Sequence, residues 1–387
     1  MRKFVSDIAE SIPPSGIRKF FDLVLTMDSD DVISLGVGEP DFDTPYAISK
    51  AAISSIEKGM TMYTANRGLA NLCSLLSEDL KNRYGISYDP TSELIFTAGV
   101  SEAFDVAVRT VVNPGDEVLV VDPCFVSYQP EVLMAGGKPV PLACKAEDQF
   151  KITPDSLMET ITPKSKVLIM NFPNNPTGGI MTKDDLKAIA DIVIDHDLLI
   201  ISDEVYSELT YDGKHTATAS VEGLFERTIT LNGFSKAYAM TGWRLGYLCA
   251  PKEICNAALK IHQYVMMSAP TASQFAAVEA LKSGEDAKNA MVAEYRIRRN
   301  LFVKGLNEIG LPCHLPQGAF YAFPSIEPTG LSDTEFAERL LKEKQVAVVP
   351  GSAFGPSGAG HVRTCYAVDR NKLMTAVKRI GEFVDSL

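Results

Sequence analysis

Short apolar runs alternate with amphipathic segments between about residue 93 and residue 250. Seven of these runs are each predicted to hold a strand, and they read ELIFTAG, DEVLVVD, KPVPLA, SKVLIMN, LLIISDE, TITLNG and RLGYLCA. Helical patterns such as SEAFDVAVRTVV and TKDDLKAIADIVIDHD lie between several of them. Apolar strands that alternate with helices predict an α/β fold with a mainly parallel sheet covered on both faces.

Loops with unusual residues follow five of the predicted strands, and they read TAGVSEA, DPCFVSY, NFPNNPTGG, DEVYSEL and NGFSK. In open α/β sheets, ligands bind beyond the carboxyl ends of the strands. We therefore expect the functional site at this edge of the sheet.

The last third of the chain has a different pattern. A long helical region, roughly Pro251 to Asn307, precedes three short predicted strands, AFYAFP, VAVVPG and HVRTCYA, and a final helix from Arg370 to Leu387. A chain of 387 residues is long enough for two domains. We predict an N-terminal arm and part of a small domain at 1–44, a large domain at 45–289, and the rest of the small domain at 290–387.

Composition excludes several classes of protein. The 37 basic and 49 acidic residues give a net charge of −12, which disfavours nucleic acid or an anionic membrane as a partner. The seven cysteines and five histidines are scattered, without CxxC or HExxH, so neither a disulfide framework nor a metal site is expected. Acidic residues near the N-terminus argue against a signal peptide, and no window reaches the roughly 18–20 apolar residues of a membrane span. These observations predict a soluble, cytoplasmic protein.

The segment GFSKAYAMTGWRLG, Gly233 to Gly246, places a lysine and an arginine in a loop of small residues. Lys236 has apolar or small neighbours, and a desolvated amine has the lowered proton affinity that Schiff-base chemistry requires. Arg244 is suited to hold a phosphate through two parallel hydrogen bonds. A flat cofactor would lie against the small residues Gly233, Ser235, Ala239 and Gly242.

Two further predictions follow from strand ends. The turn at Gly99, Val100 and Ser101 joins a strand to a helix, whose free N–H groups and positive dipole form a seat for phosphate. Asp203 ends the strand LLIISDE, where a carboxylate would keep the nitrogen of a pyridine ring protonated. Taken alone, such a turn is common in α/β proteins, and an aspartate in this position is more often a cap or turn residue.

The segment from Gly233 to Gly246 resembles the cofactor-lysine signature of class I pyridoxal-phosphate-dependent aminotransferases. Further motifs from Gly38 to Arg363 follow in the order of that family. The segment SGIRKFFDL is similar to the start of a bacterial and archaeal branch with aspartate, aromatic and acyl-diaminopimelate aminotransferases. The resemblance implies fold type I, with a seven-stranded sheet in the large domain, a smaller α/β domain from both termini, and a homodimer with shared sites.

The resemblance also implies roles for residues around pyridoxal 5′-phosphate. Tyr206 and the side-chain amide of Asn175 would hydrogen-bond the ring oxygen, and Phe125 would stack on the pyridine. Many family members have a serine three residues before the lysine, where this chain has Gly233, so Ser235 is the substitute hydroxyl.

Other roles implied by the resemblance concern the substrate and the neighbouring subunit. Arg363 would bind the substrate α-carboxylate together with the backbone of Gly38, and Asn175 would also contact the substrate. Tyr63 would reach the phosphate of the cofactor in the other subunit. Ile17, Arg18 and residues around Phe320 are candidates for substrate selection, and Arg18 either pairs with a distal acid or is a solvated helix charge.

The implied reaction is a ping-pong transfer through a Schiff base, with Lys236, Asp203 and Tyr206 as catalytic residues. It moves an amino group from an L-amino acid to a 2-oxo acid, often 2-oxoglutarate. One alternative is a carbon–sulfur β-lyase on the same scaffold, which would use the same residues. Another is a regulator that carries a DNA-binding module of about 60 or more residues ahead of the same scaffold. The family-like start already occupies residues 15–45, so we expect no such module.

Overall fold

The computed structural model describes residues 2–14, 16–17 and 31–387 of the chain. Arg18 lies outside the described residues. The strands in the described part are β1 (Ile33–Ser34), β2 (Leu94–Thr97), β3 (Glu117–Asp122), β4 (Lys138–Ala143), β5 (Ser165–Asn171), β6 (Leu199–Asp203), β7 (Thr228–Gly233), β8 (Gly246–Cys249), β9 (Tyr321–Ala322), β10 (Val346–Ala347), β11 (Val349–Pro350) and β12 (Val362–Cys365).

The α-helices of the described residues flank these strands. They are α1 (Asp7–Ser11), α2 (Tyr46–Glu57), α3 (Ala70–Tyr84), α4 (Gly99–Val111), α5 (Tyr128–Met134), α6 (Pro154–Thr160), α7 (Lys183–Asp195), α8 (Lys252–Val265), α9 (Thr271–Ser283), α10 (Glu285–Glu308), α11 (Asp333–Lys344) and α12 (Arg370–Val384).

A seven-stranded sheet has the order β2-β8-β7-β6-β5-β3-β4. The strands β4, β3, β5, β6 and β7 pair in parallel, whereas β8 is antiparallel to both β2 and β7. The sheet is therefore mixed and mainly parallel, and the prediction of an α/β fold with this sheet is confirmed. All seven predicted strands are present, because each apolar run is long enough to cross the buried sheet.

Local sequence explains the helices that cover the sheet. Helix α4 buries one apolar face, which includes Ala103, Phe104 and Ala107. Helix α7 begins with a capping box, in which the Thr182 side chain accepts from the Asp185 N–H and Asp185 accepts from the Thr182 N–H.

The predicted helical region after residue 250 is divided into three helices. Pro270 caps the start of α9, and Gly284 separates α9 from α10. The three predicted C-terminal strands are also present, although they are short, and β11, β12 and β9 form an antiparallel sheet. Strand β1 pairs in parallel with β10, which joins an N-terminal segment to the C-terminal part. The domain boundaries at 44/45 and 289/290 stay predictions.

Register places the expected functional residues at one edge of the large sheet. Asn171, the last residue of β5, pairs with Asp203, the last residue of β6, and Asp203 pairs with Leu231 of β7. The loops that carry Asn175 and Lys236 follow β5 and β7 directly. No helix in the described residues is long and apolar enough to cross a membrane.

Candidate active site

A cavity of about 280 Å³ lies at the carboxyl ends of the central strands. It collects most of the residues that the sequence singled out. Its lining includes Ile17, Gly38, Val100, Ser101, Phe125, Asn175, Asp203, Tyr206, Ser235, Lys236, Arg244 and Arg363.

Lys236 lies three residues after the end of β7, and its ammonium group enters this cavity. Nζ donates a hydrogen bond of 2.7 Å to the carbonyl oxygen of Gly38. Burial lowers the pKa of Lys236 to about 8, and the nearby cations Arg363 and Arg244 act in the same direction. About a tenth of the amine is therefore neutral and nucleophilic at pH 7, far more than for a lysine with an ordinary pKa.

Asp203 is buried at the end of β6 and has two hydrogen-bond donors. Oδ2 accepts from the Tyr128 hydroxyl at 2.6 Å, and Oδ1 accepts from the Val205 N–H at 3.0 Å. Burial raises the pKa of Asp203 to about 6, while the two donors oppose that rise. Asp203 is thus an anion at neutral pH that can pair with a protonated ring nitrogen.

The sequence reading missed Tyr128, although it lies in the segment DPCFVSY, three residues after Phe125. Phe125 precedes α5, which begins at Tyr128, so helical spacing gave no signal for Tyr128.

The backbone between β2 and α4 is shaped by close approaches. Gly99 has φ +79°, and a methyl group on it would overlap the Arg244 guanidinium. A Cβ on Gly246 would lie 2.6 Å from the Val100 nitrogen. Arg244 itself has φ +53° and donates to the Thr241 carbonyl at 2.9 Å. The Arg244 guanidinium and the start of α4 therefore lie together, as expected for a phosphate-binding site.

Arg363 lies in β12 and is 2% exposed. Nη1 donates to Asn175 Oδ1 at 3.0 Å and Nη2 donates to the Gly36 carbonyl at 2.5 Å, whereas Nε has no acceptor among the described residues. The guanidinium carbon lies 4.7 Å from the centre of the Tyr321 ring. A buried guanidinium with an unused donor is suited to bind a carboxylate.

Asn175 follows β5 in a turn where the Asn175–Pro176 bond is cis. The Asp122–Pro123 and Phe172–Pro173 bonds are also cis. Since the Asn175 oxygen accepts from Arg363, its amide nitrogen is the group left to donate to a ligand.

Tyr206 and Tyr321 both line the cavity, and their hydroxyl oxygens are 2.8 Å apart. The Tyr321 hydroxyl also lies against Gly38, where any side chain would collide with it. Tyr321 was not singled out from the sequence, although Phe320 beside it was. Phe320 directly precedes β9, which begins at Tyr321, and the centres of the two rings lie 4.9 Å apart, so the local pattern did not distinguish these two aromatic residues.

Six of the predicted residues that the structure describes do not line the cavity, and they are Gly99, Tyr63, Gly233, Ala239, Gly242 and Phe320. Gly99 lies behind the Arg244 guanidinium rather than in the lining. Tyr63 is 81% exposed. Arg18 is outside the described residues, so its role stays a prediction.

Residues 30–380 of the chain match the family described as aminotransferase class I and II. The chain belongs to this family. It is 51% identical over 384 residues to the putative aminotransferase YugH of Bacillus subtilis, which covers 99% of both chains. It is 46% identical to the aromatic-amino-acid aminotransferase 2 of Thermococcus litoralis, over 97% of each.

A solved structure supports the same family assignment. The aspartate aminotransferase of Thermus thermophilus with maleate superposes with a TM-score of 0.93 at 37% identity, and the match covers 100% of both chains. The predictions of an aminotransferase and of fold type I are confirmed. The protein is an enzyme that acts on amino acids and oxo acids.

Proposed function

We propose that this aminotransferase binds pyridoxal 5′-phosphate in the cavity and transfers an amino group from an L-amino acid to a 2-oxo acid, with 2-oxoglutarate as the expected acceptor. The observation that carries the proposal is the partly buried amine of Lys236 in one cavity with Asp203, Arg244 and Arg363. Their charges complement a ring nitrogen, a phosphate and a substrate carboxylate, so the residues present fit the cofactor.

The phosphate end would be held by Arg244 and by the start of α4. Val100 and Ser101 are in the first turn of that helix, where backbone N–H groups have no partner within the helix. Ser235 also lines the cavity and offers a hydroxyl. Gly233 permits the close approach of β7 and β8, because a Cβ there would lie 3.0 Å from the Gly246 Cα.

The ring would be held by residues on three strands' ends. Asp203 pairs with the ring nitrogen, Tyr206 and the Asn175 amide donate to the ring oxygen, and Phe125 covers one face. When bound, the cofactor supplies a conjugated system that accepts electrons from the substrate Cα–H bond. Asp203 keeps the ring nitrogen protonated, which favours that electron flow.

Lys236 would hold the cofactor covalently through Nζ and then move a proton. The lowered pKa of Lys236 leaves a neutral amine that can take the proton from the substrate Cα. The Tyr206 ring and the Phe320 ring lie 5.8 and 5.7 Å from Nζ, so two aromatic side chains flank the amine.

The substrate α-carboxylate would bind Arg363, whose Nε lacks an acceptor. Gly38 lies close to this guanidinium, because the Tyr321 side chain contacts both Gly38 and Arg363. The Gly38 carbonyl also accepts a hydrogen bond from Lys236. Specificity for the side chain would come from Ile17, Arg18 and the surroundings of Phe320.

A homodimer would complete the site. Tyr63 belongs to a group of exposed apolar residues, and hydrogen bonds hold its loop against two helices: Thr271 of α9 donates to the Met62 carbonyl at 2.8 Å, and Asn66 donates to the Met267 carbonyl after α8 at 2.8 Å. Exposed apolar groups of this kind mark interfaces. The members are Tyr46, Ile53, Ile56, Met60, Met62, Tyr63, Tyr264, Val265 and Met266. A second copy would cover them and receive Tyr63 at its phosphate.

The test is a screen of amino donors with 2-oxoglutarate, in which glutamate formation and the cofactor absorbance are followed. Aspartate, aromatic amino acids and an acyl-diaminopimelate are the first donors to try. Glutamate that forms in proportion to the donor consumed supports the proposal. Release of pyruvate and ammonia from a cysteine-like substrate without an acceptor would instead identify a carbon–sulfur β-lyase.

A further inference from the structure

A buried pair of side chains lies directly behind the start of α4. Glu102 Oε1 is 2.6 Å from His262 Nδ1, and the His262 side chain, on α8, is fully buried. The other ring nitrogen, Nε2, is 3.0 Å from the Asn66 carbonyl oxygen. Glu102 Oε2 accepts from the Ala98 N–H at 2.5 Å.

These contacts determine how many protons the pair holds. A carbonyl oxygen only accepts hydrogen bonds, so His262 Nε2 carries a proton that it donates to Asn66. The short contact between Nδ1 and the Glu102 carboxyl also requires a proton between two atoms that would otherwise both be acceptors. The pair therefore contains one proton more than a neutral imidazole and a carboxylate, and the negative charge of Glu102 is compensated.

The position of Glu102 makes this compensation important. Glu102 follows Ser101, in the turn that the proposed function assigns to the phosphate, and it fixes that turn through the Ala98 N–H. An uncompensated carboxylate there would repel a phosphate dianion, and burial would weaken the screening by water. The helix start thus needs the hydrogen bond of Glu102 but not its charge.

We propose that His262 is a positioning residue that neutralises Glu102, so that the N-terminus of α4 binds the phosphate of the cofactor without repulsion. The inference rests on the proposed function, because it assumes that pyridoxal 5′-phosphate binds with its phosphate at α4. His262 contributes no atom to the cavity lining and acts through Glu102.

The experiment compares two ligands that differ only in the phosphate. Full-length protein freed of cofactor is titrated with pyridoxal 5′-phosphate and with pyridoxal, and dissociation constants are measured for wild type, His262→Gln, Glu102→Gln and the double variant. His262→Gln should weaken pyridoxal 5′-phosphate by about tenfold or more and pyridoxal by less than about twofold. A role limited to packing would weaken both ligands alike.

The Glu102→Gln variants separate charge from shape. A glutamine can accept from the Ala98 N–H and donate to a neutral His262 ring, so all hydrogen bonds remain without the charge. Glu102→Gln should therefore bind pyridoxal 5′-phosphate within about threefold of wild type, and the double variant should recover most of the affinity that His262→Gln loses. His196→Gln, at the exposed end of α7, is the matched control and should bind like wild type.

Three results would overturn the inference: equal losses for both ligands in His262→Gln, no recovery in the double variant, or a selective loss of pyridoxal 5′-phosphate in Glu102→Gln. If His262→Gln does not fold, the affinities of Glu102→Gln for pyridoxal 5′-phosphate and pyridoxal still test the inference. A wild-type protein that binds neither ligand would refute the proposed function instead, so the two failures are distinguishable.

Discussion

The hydroxyl of Tyr128 donates a hydrogen bond of 2.6 Å to Oδ2 of Asp203, and both buried side chains line the cavity. This donor stabilises the carboxylate form of Asp203 against the burial that raises its pKa to about 6. An electron-withdrawing ring needs the carboxylate form, so Tyr128 supports the proposed chemistry through its hydrogen bond to Asp203.

Replacing Tyr128 with phenylalanine should move the acid limb of the kcat/KM profile to higher pH. Loss of the donor raises the pKa of Asp203 further, so less carboxylate is present on the acid side. Because hydrogen bonds to charged groups are worth about 1.5–3 kcal/mol, we expect a loss of roughly tenfold near pH 6 that becomes smaller toward pH 8. The control is Tyr88→Phe, which removes a buried hydroxyl that contacts Thr230 at 3.3 Å. If the acid limb of the kcat/KM profile stays at the same pH in Tyr128→Phe, the proposed role of Tyr128 is refuted.

Replacing Lys236 with methionine should stabilise the cofactor-free protein at pH 7. The folded-state pKa of Lys236, about 8, lies below its ordinary value of 10.5, so the unfolded chain binds more protons between these values. Wild-type stability then rises as the pH increases from 8 to 10.5, and the penalty of the buried ammonium is complete below pH 8. We expect the variant to unfold a few degrees (roughly 2–4 °C) higher at pH 7, with a smaller difference near pH 10. Thermal unfolding at both pH values is the measurement, and a difference independent of pH would contradict the lowered pKa.

Replacing Gly99 with alanine should weaken the cofactor more than it destabilises the fold. The new methyl group meets the Arg244 guanidinium and displaces it from the start of α4. Gly85→Ala is the matched control, because Gly85 has a similar φ of +73° but nothing within 4 Å of an added Cβ. Both variants should lose about 1 kcal/mol of stability from the left-handed backbone. Only Gly99→Ala should lose roughly tenfold or more in affinity for pyridoxal 5′-phosphate, and equal affinities would show that the overlap with Arg244 has no effect.

A mixture of two defective variants should recover activity if the sites are shared. In the proposed dimer, each site takes Lys236 from one subunit and Tyr63 from the other. Tyr63→Ala and Lys236→Ala proteins, mixed and refolded together, would form hybrids in which one site has both wild-type residues. Activity per site in the mixture should exceed that of either variant alone.

The control for the hybrid is a mixture of each variant with itself, refolded in the same way. A size or charge tag on one variant shows whether hybrid dimers have formed. If hybrids form and the mixture gains no activity, the proposed position of Tyr63 is contradicted.

The sequence predicted the central elements well, because strands β2 to β8 and helices α4 and α7 depend on local apolar patterns. It also placed Lys236, Asp203 and Arg363 at one site through motifs, and the structure brings all three to one cavity. What local patterns do not contain is the pairing of distant side chains. Tyr206 and Tyr321 are 115 positions apart, and Glu102 and His262 are 160 apart.

The extent of the long helical region was also beyond the local pattern. The region is divided at Pro270 and Gly284, and α9 packs against α2 while α10 packs against α12. Tertiary packing therefore influences where the helices end and outweighs helix propensity.

The most direct test of the central claim is borohydride reduction of protein incubated with pyridoxal 5′-phosphate, followed by peptide mass analysis. We predict one pyridoxyl phosphate per chain, attached to the peptide that contains Lys236. An unmodified Lys236, or a label on a different lysine, would contradict the proposed site and its chemistry.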